Sequence, residues 1–295
     1  MRRWRSGLPP RVAKVPTRRG IALLALLLAA CATPPEPAPD VTRLVAALAS
    51  KPIVLLGEVH DNQAQHALRA LALRRHLAGG ARPVLLMEQF DRERQAALDS
   101  ALARTDATVD AVIEAGSPAA DRSGWDWRLY RPYLALALEY RLRIVAANVS
   151  RTDARRVMTQ GLPALGFDPA TPADLGAAQA QAIVAGHCGA IDAAQARPLV
   201  AAQVARDQFM ARQVEAHAHA GVVLLAGNGH VRSDIGVPRW LSAAQRGRSV
   251  AIGLVEAGNG GGAARYDIAI ETPAQARPDP CIGFTGIGAS TPGRP

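Results

Sequence analysis

The chain has 295 residues, of which 49% are hydrophobic, and this length and composition suit one large domain with an ample apolar core. Its formal net charge is +9, but seven arginine and lysine side chains and no acidic one lie within the first 30 residues. Without that segment the net charge is +2, and Lys51 is the only lysine that remains. Because no basic cluster is interleaved with aromatic residues, the composition excludes a nucleic-acid-binding protein.

The first 30 residues have the order of an export signal. The seven cationic side chains fall within residues 1–20, and an apolar run follows at 21–30. That run is too short to cross a bilayer, which takes roughly 20 apolar residues. It leads into Leu-Ala-Ala-Cys at 28–31, which resembles the lipobox of bacterial lipoproteins. We therefore predict that Cys31 is the first residue of the mature protein and that a lipid on its thiol anchors it to a membrane.

The rest of the chain divides into three predicted segments. Residues 31–40 are rich in proline and cannot bury an apolar face, so they are predicted to form a tether. Residues 41–285 are predicted to form the folded domain, and 286–295 a flexible tail. Ala32 stands where an aspartate would retain a lipoprotein in the inner membrane. In a Gram-negative cell the expected location is therefore the outer membrane, facing the periplasm.

Short apolar runs separated by helical stretches predict the fold class. Continuous apolar runs of this length are typical of strands buried on both faces of a parallel sheet. The expected fold is α/β, with a mainly parallel central sheet flanked by helices. The runs lie at 53–56, 84–87, 144–147, 222–225 and 250–255.

The segments between the runs predict helices. Asp61 or Asn62 can cap a first helix, and its core-facing side chains are expected to be Ala64, Leu68, Leu71 and Ala72. Further helices are predicted at 91–104 and 131–142. The alanine-rich stretch at 150–220 lacks a strand pattern and is predicted to be a helical insertion.

Ionisable side chains follow three of the predicted strands. The first run is followed by Glu58 and His60, the second by Glu88 and the fourth by His230. Ligand sites of open α/β sheets lie at the carboxyl ends of the strands, so these four side chains are expected to converge. Such a cluster could hold a divalent metal ion or supply a general base that activates water.

An aromatic stretch at 125–133 contains half of the tryptophans and half of the tyrosines of the chain. One interpretation is a core patch or helix entry. The other is a binding surface for a flat hydrophobic ligand, with Tyr130 or Tyr133 available as an iron ligand and Arg131 for carboxylates.

Cys188 and Cys281 are the only cysteines besides Cys31. An extracytoplasmic compartment allows a disulfide to persist, so we favour a bridge between them. Two unrelated buried thiols are the alternative that spacing leaves open.

Several motifs together resemble a known family. Gly-Glu-Val-His-Asp-Asn at 57–62, Met-Glu-Gln-Phe at 87–90, Trp-x-x-Tyr-x-Pro at 127–132, Ala-Ala-Asn at 146–148 and Gly-Asn-Gly-His at 227–230 resemble the ChaN haem-binding lipoproteins. That family is grouped with the Tiki, TraB and erythromycin-esterase proteins. The resemblance covers roughly residues 41–285.

The resemblance implies an α/β fold and a cell-envelope lipoprotein that binds haem for iron uptake. It implies a tyrosine on the iron, with Tyr130 the first choice and Tyr133 the second, and His60 and Arg131 beside the haem. A homodimer that encloses haem and an outer-membrane receptor are the implied protein partners. Hydrolytic members of the superfamily match at His60, Glu88 and His230, so the alternative is a metal-dependent or histidine-base hydrolase.

Overall fold

The computed structural model describes residues 39–118, 124–258, 260–279 and 281–282. The predicted export signal, Cys31, nearly all of the tether and the predicted tail at 286–295 lie outside these ranges. Within them, no helix combines the length and the apolar character needed to cross a membrane.

The described residues form a six-stranded sheet in which every neighbouring pair of strands is parallel, in the order β3-β2-β4-β1-β5-β6. Each of the five predicted runs is a strand, which confirms the α/β prediction. The sixth strand was not predicted, because its five residues lie at the edge of the sheet and only two of them are fully buried. The strands are β1 Ile53–Leu56, β2 Val84–Asp91, β3 Ile144–Asn148, β4 Val222–Leu225, β5 Ser249–Glu256 and β6 Ile268–Thr272.

Helices cover both faces of the sheet. They are α1 Pro39–Ser50, α2 Gln63–Ala78, α3 Gln95–Leu102, α4 Val109–Gly116, α5 Trp127–Glu139, α6 Arg151–Gln160, α7 Ala173–Gly186, α8 Ala193–His217, α9 Asn228–Val231 and α10 Ala243–Gly247. Helix α5 begins four residues before its predicted start, because the Asp126 carboxylate accepts a hydrogen bond from the Arg128 amide at 3.2 Å and caps it. The stretch predicted to be a helical insertion contains α6, α7 and α8. These helices share a small core of their own, while Met210 and Val214 of α8 pack against the sheet.

The buried face of α2 differs from the prediction. Asn62 caps this helix as expected, but Ala64 and Leu71 are exposed. The prediction is confirmed for Ala72, which is buried, and Leu68 is half-buried against the core. The buried face also includes Gln65, His66, Arg69, Leu73 and Leu77, because α2 turns three polar side chains toward the ends of the strands.

Two edges of the sheet are used below as reference points. All six strands run in the same direction, so the loops that follow them lie at one edge, the carboxyl edge, and the loops that precede them lie at the other, the amino edge. A disulfide between Cys188 and Cys281 joins the turn between α7 and α8 to the segment that follows β6.

Candidate functional site

The four ionisable residues that follow the strands lie at the carboxyl edge as two pairs. Nδ1 of His60 lies 3.1 Å from Oε1 of Glu58, and Nε2 of His230 lies 3.4 Å from Oε1 of Glu88. His60, Glu88 and His230 line one cavity. The structure therefore brings the predicted cluster together, with three of its members on the wall of one space and Glu58 buried behind His60.

Glu58 is the centre of a buried polar network behind His60. Its carboxylate forms an ion pair with Arg69, whose side chain is fully buried, and it accepts a hydrogen bond from the Tyr130 hydroxyl at 2.6 Å. Because an ionised carboxylate only accepts, Nδ1 of His60 donates to it and the lone pair of the neutral imidazole is on Nε2. A carboxylate that accepts from a histidine in this way fixes the orientation of the ring.

His66 and Tyr133 support the same network from the core. Nε2 of His66 lies 3.0 Å from the carbonyl oxygen of His60, and the Tyr133 hydroxyl donates to the carbonyl oxygen of His66 at 3.1 Å. Burial lowers the pKa of His66, so its imidazole is neutral near pH 7. These contacts hold the main chain on which His60 is mounted.

The two tyrosines that were predicted as iron ligands, and the arginine beside them, lie outside the cavity described above. Tyr130 and Tyr133 are both buried, and neither lines the cavity that His60, Glu88 and His230 share, although Tyr130 lines a second cavity of about 310 Å³ beside His60 and Trp125. Burial raises the pKa of both phenols, which disfavours the phenolate that would bind iron. Arg131 is exposed and forms an ion pair with Asp110 at 2.5 Å.

His230 lies between two buried carboxylates. Its Nδ1 is 2.6 Å from Oδ1 of Asp207, and Glu88 also accepts a hydrogen bond from the Gly227 amide at 2.7 Å. Burial alone would lower the pKa of His230, but the charges of Glu88 and Asp207 outweigh it and raise this pKa to about 10. Burial would likewise raise the pKa of Glu88, but His230 lowers it to about 2.

An imidazolium has no lone pair, so His230 in this state is neither a metal ligand nor a general base. Across the described ranges there is no group of three or more histidine, cysteine, aspartate or glutamate side chains placed to hold a metal ion. The divalent metal predicted on Glu58, His60, Glu88 and His230 therefore finds no support in this geometry.

The cavity has a volume of about 910 Å³, within the size range of pockets that enclose small ligands. The exposed part of His60 and the Trp125 indole, whose ring centres are 4.9 Å apart, form one wall. A Cβ on Gly227 would lie 2.7 Å from the His60 ring, so only glycine fits beneath it. The guanidinium groups around the cavity belong to Arg94, Arg151, Arg155 and Arg206.

Two of these cavity arginines have no acidic partner. Within the described part of the chain, Arg155 and Arg206 form no ion pair, and the buried Oδ1 of Asn148 beside them has no hydrogen-bond partner. The two guanidinium groups offer donors to a ligand that carries carboxylates, and Oδ1 of Asn148 can accept from a ligand donor.

Sequence reasoning missed Arg69 and Asp207, which complete the two networks. Both are charged residues within the apolar stripe of a helix, between buried neighbours of α2 and α8 respectively. A buried charge at such a position needs a partner, and this was the available signal.

A model of the family described as "Haem-binding uptake, Tiki superfamily, ChaN" matches residues 44–241, which is more than half of the chain. The chain belongs to this ChaN family. The resemblance that the motifs indicated is thereby confirmed. A search of curated proteins found no match.

Three solved structures are similar to this chain, and the first of them supports the ChaN fold. A structure of ChaN from Campylobacter jejuni, described as showing cofacial heme binding, has 20% identity and a TM-score of 0.59, with 72% of this chain and 84% of that one covered. The type III effector HopBA1 has 15% identity and a TM-score of 0.46, covering 80% and 94%. An erythromycin esterase in its open conformation has 15% identity and a TM-score of 0.43, covering 73% and 72%.

Proposed function

We propose that this chain binds haem in the cavity at the carboxyl edge, beside His60. The observation that carries the proposal is the His60 imidazole, whose Nδ1 is held by Glu58 so that Nε2 is available at the cavity wall. Imidazole is a common protein ligand of haem iron. Membership of a family of haem-binding uptake proteins supports the same ligand.

The other cavity residues fit the remaining parts of haem. The Trp125 indole offers an aromatic surface beside His60, which suits a flat macrocycle. Arg155 and Arg206 offer guanidinium groups to propionate carboxylates. Haem supplies the iron that is carried, while the chain binds it, orients it and excludes water from one side.

Two copies of the chain can enclose the haem. His60 is about half exposed, so a haem bound on it keeps one face open to solvent. A second copy that presents the same face would cover it and set two haems face to face, as the name of the Campylobacter jejuni structure describes for that protein. Sedimentation of the haem-loaded chain should then show a dimer, whereas a monomer at haem saturation contradicts this arrangement.

Haem titration of the chain from residue 32 onward, which contains every described residue, tests the proposal. We expect a Soret shift, and we expect His60→Ala to weaken binding by at least about tenfold, because loss of an iron ligand removes more than about 1.4 kcal/mol. Tyr130→Phe should keep the Soret shift, since the Tyr130 hydroxyl donates to the carboxylate of Glu58 and Tyr130 does not line the cavity that His60 shares with Glu88 and His230. No spectral change on titration of the unaltered chain would overturn the proposal, and loss of iron ligation in Tyr130→Phe alone would return the ligand role to Tyr130.

We also propose that the chain acts in the cell envelope, anchored through a lipid on Cys31 at the outer membrane and facing the periplasm, where it would pass haem to or from a receptor. The lipobox at 28–31 supports this. Labelled palmitate fed to cells should be incorporated into the chain and lost in Cys31→Ser. An unlabelled but exported chain contradicts the anchor.

A hydrolase is the second candidate, because the Glu58-oriented His60 is also arranged as a general base. His230, being protonated, would act in it as a charge and not as a base. Ester or peptide turnover that disappears in His60→Ala, with no metal found by elemental analysis, would support this function.

A further inference from the structure

The amino edge of the sheet carries a row of basic side chains. The links that lead from the preceding helix or turn into each strand hold one lysine, four arginines and a histidine, against a single carboxylate, Asp267 before β6. In the order of the strands across the sheet, from β3 to β5, these are Arg141 and Arg143, Arg82, His219, Lys51 and Arg248.

These side chains are exposed, and no carboxylate neutralises them. All six are exposed to solvent. Lys51 donates to the carbonyl oxygen of Gly247 at 2.9 Å, and Arg82 donates to that of Leu77 at 2.8 Å. Within the described ranges none of the five lysine and arginine residues forms an ion pair with an acidic side chain.

The row is continuous in space and not only in topology. A small cavity at this edge is lined by both Lys51 and Arg82, and Arg248 lies 3.5 Å from the carbonyl oxygen of Ala218, next to His219. The charge of Arg143 acts on His217 at the end of α8, two residues before His219. These basic side chains therefore form one face that spans five neighbouring strands.

We propose that this amino edge docks on an anionic phospholipid surface. The five lysine and arginine side chains outnumber the one carboxylate, so the face is complementary to lipid phosphate. Each lysine or arginine near an anionic lipid surface is attracted to it. The inference rests on the envelope location proposed above.

The predicted anchor can reach this surface. Helix α1 ends beside Lys51 and has 12 residues, so its first residue, Pro39, lies within about 18 Å of the amino edge. The eight residues from Cys31 to Pro39 span at most about 29 Å when extended. The lipid and the basic edge can therefore contact the same membrane, and the haem cavity at the opposite edge then opens away from it.

Vesicle co-sedimentation of the chain from residue 32 onward, without lipid, tests the proposal. We expect binding to phosphatidylcholine vesicles that contain phosphatidylglycerol and none to phosphatidylcholine alone. Salt of about 1 M should release the chain, because it shortens the screening length to about 3 Å. Arg141→Glu with Arg143→Glu, and separately Lys51→Glu with Arg248→Glu, should each weaken binding by at least about tenfold.

A matched control reverses the same number of charges elsewhere. Arg156→Glu with Arg197→Glu changes exposed residues of α6 and the start of α8, away from the amino edge, and should alter vesicle binding by less than about twofold. The proposal is overturned if this control loses as much binding or if the chain binds neutral vesicles equally well. It is also overturned if inorganic phosphate displaces the chain at constant ionic strength, or if the chain does not bind at all. Haem titration of the edge variants keeps the two proposals separate, because it should match that of the unaltered chain.

Discussion

At the carboxyl edge of the sheet the buried charged side chains are paired with charges of opposite sign, whereas at the amino edge the lysine and arginine side chains are exposed and form no ion pair. Arg69 contacts Glu58, and His230 lies between Glu88 and Asp207. The exposed cations of the amino edge bond only to backbone or amide oxygens where they bond at all.

This difference separates two kinds of electrostatic function. A buried pair in a low dielectric fixes the position and the protonation state of a side chain such as His230, and salt screens it little. Exposed like charges act over about 10 Å at ordinary ionic strength and need no fixed geometry. The first arrangement suits a ligand of defined shape, and the second suits an extended surface.

The largest loss in the free energy of unfolding is expected from breaking a buried ion pair at the carboxyl edge. Arg69→Met leaves the carboxylate of Glu58 buried without its cation, and removing one partner of a buried pair costs about 3–5 kcal/mol. We expect a loss of that size in the free energy of unfolding measured with urea.

The matched control is Arg74→Met. It breaks the Arg74–Glu139 pair, in which both side chains are about half exposed, and should cost less than about 1 kcal/mol. Equal losses in the two variants would mean that burial does not distinguish the pairs. Adding Glu58→Gln to Arg69→Met should recover part of the stability, because it removes the uncompensated charge.

The sequence predicted the strands and the meeting of Glu58, His60, Glu88 and His230, because apolar runs indicate buried strands and parallel strands end at one edge. It did not predict how these side chains pair. Arg69 lies on the buried face of α2, and its ion pair with Glu58 supplies the cation for that buried carboxylate.

The hydroxyl groups of Tyr130 and Tyr133 also bind partners that are remote in the sequence. The Tyr130 hydroxyl contacts Glu58, 72 residues away, and the Tyr133 hydroxyl contacts His66, 67 residues away. A local aromatic pattern cannot reveal whether such hydroxyls face a ligand or a buried acceptor. The same limit applies to Asp207, which only the packing of α8 brings to His230.

Removal of the disulfide is expected to cause the next largest loss in the free energy of unfolding. The disulfide attaches the segment after β6, which contacts the carboxyl edge, to the rest of the domain. Arg277 in this segment pairs with Asp61 and Glu256, and Cys281 is bonded to Cys188 across 93 residues. Loss of a bridge typically costs about 2–4 kcal/mol, because the unfolded chain gains freedom.

Urea unfolding with and without a dithiol reductant measures this loss. The double variant Cys188→Ser with Cys281→Ser should be as unstable as the reduced chain and should not respond to reductant. A reductant effect that persists in this variant would show that something other than the bridge is responsible.

The pH dependence of stability tests the network around His230. The pKa of His230 is raised to about 10 in the folded chain against 6.5 for an ordinary histidine, so the folded state holds this proton more tightly. The stabilisation is therefore complete below about pH 6.5 and is lost as the pH rises through about 10. We expect a loss on the order of 2 kcal/mol across that interval, because water in the cavity screens part of the interaction.

His230→Gln supplies the background for this measurement. It keeps Glu88 and Asp207 but has no titrating ring, so the fall in unfolding free energy between pH 6.5 and 10 should be smaller in it. Equal slopes in the two proteins would mean that His230 is not held as a cation by its neighbours.

The smallest effect is expected at Arg131, which the sequence assigned to haem binding. Its side chain is 44% exposed and its partner Asp110 is 77% exposed, so water solvates both charges. Arg131→Ala should lower the free energy of unfolding by less than about 1 kcal/mol and change the haem dissociation constant by less than about twofold. A loss of haem affinity of about tenfold, with unfolding unchanged, would put Arg131 at the bound haem, and the propionate role would then pass to it from Arg155 and Arg206. The exposed charges of this molecule would then contribute to a ligand of defined shape as well, and the distinction between the two edges would be one of degree.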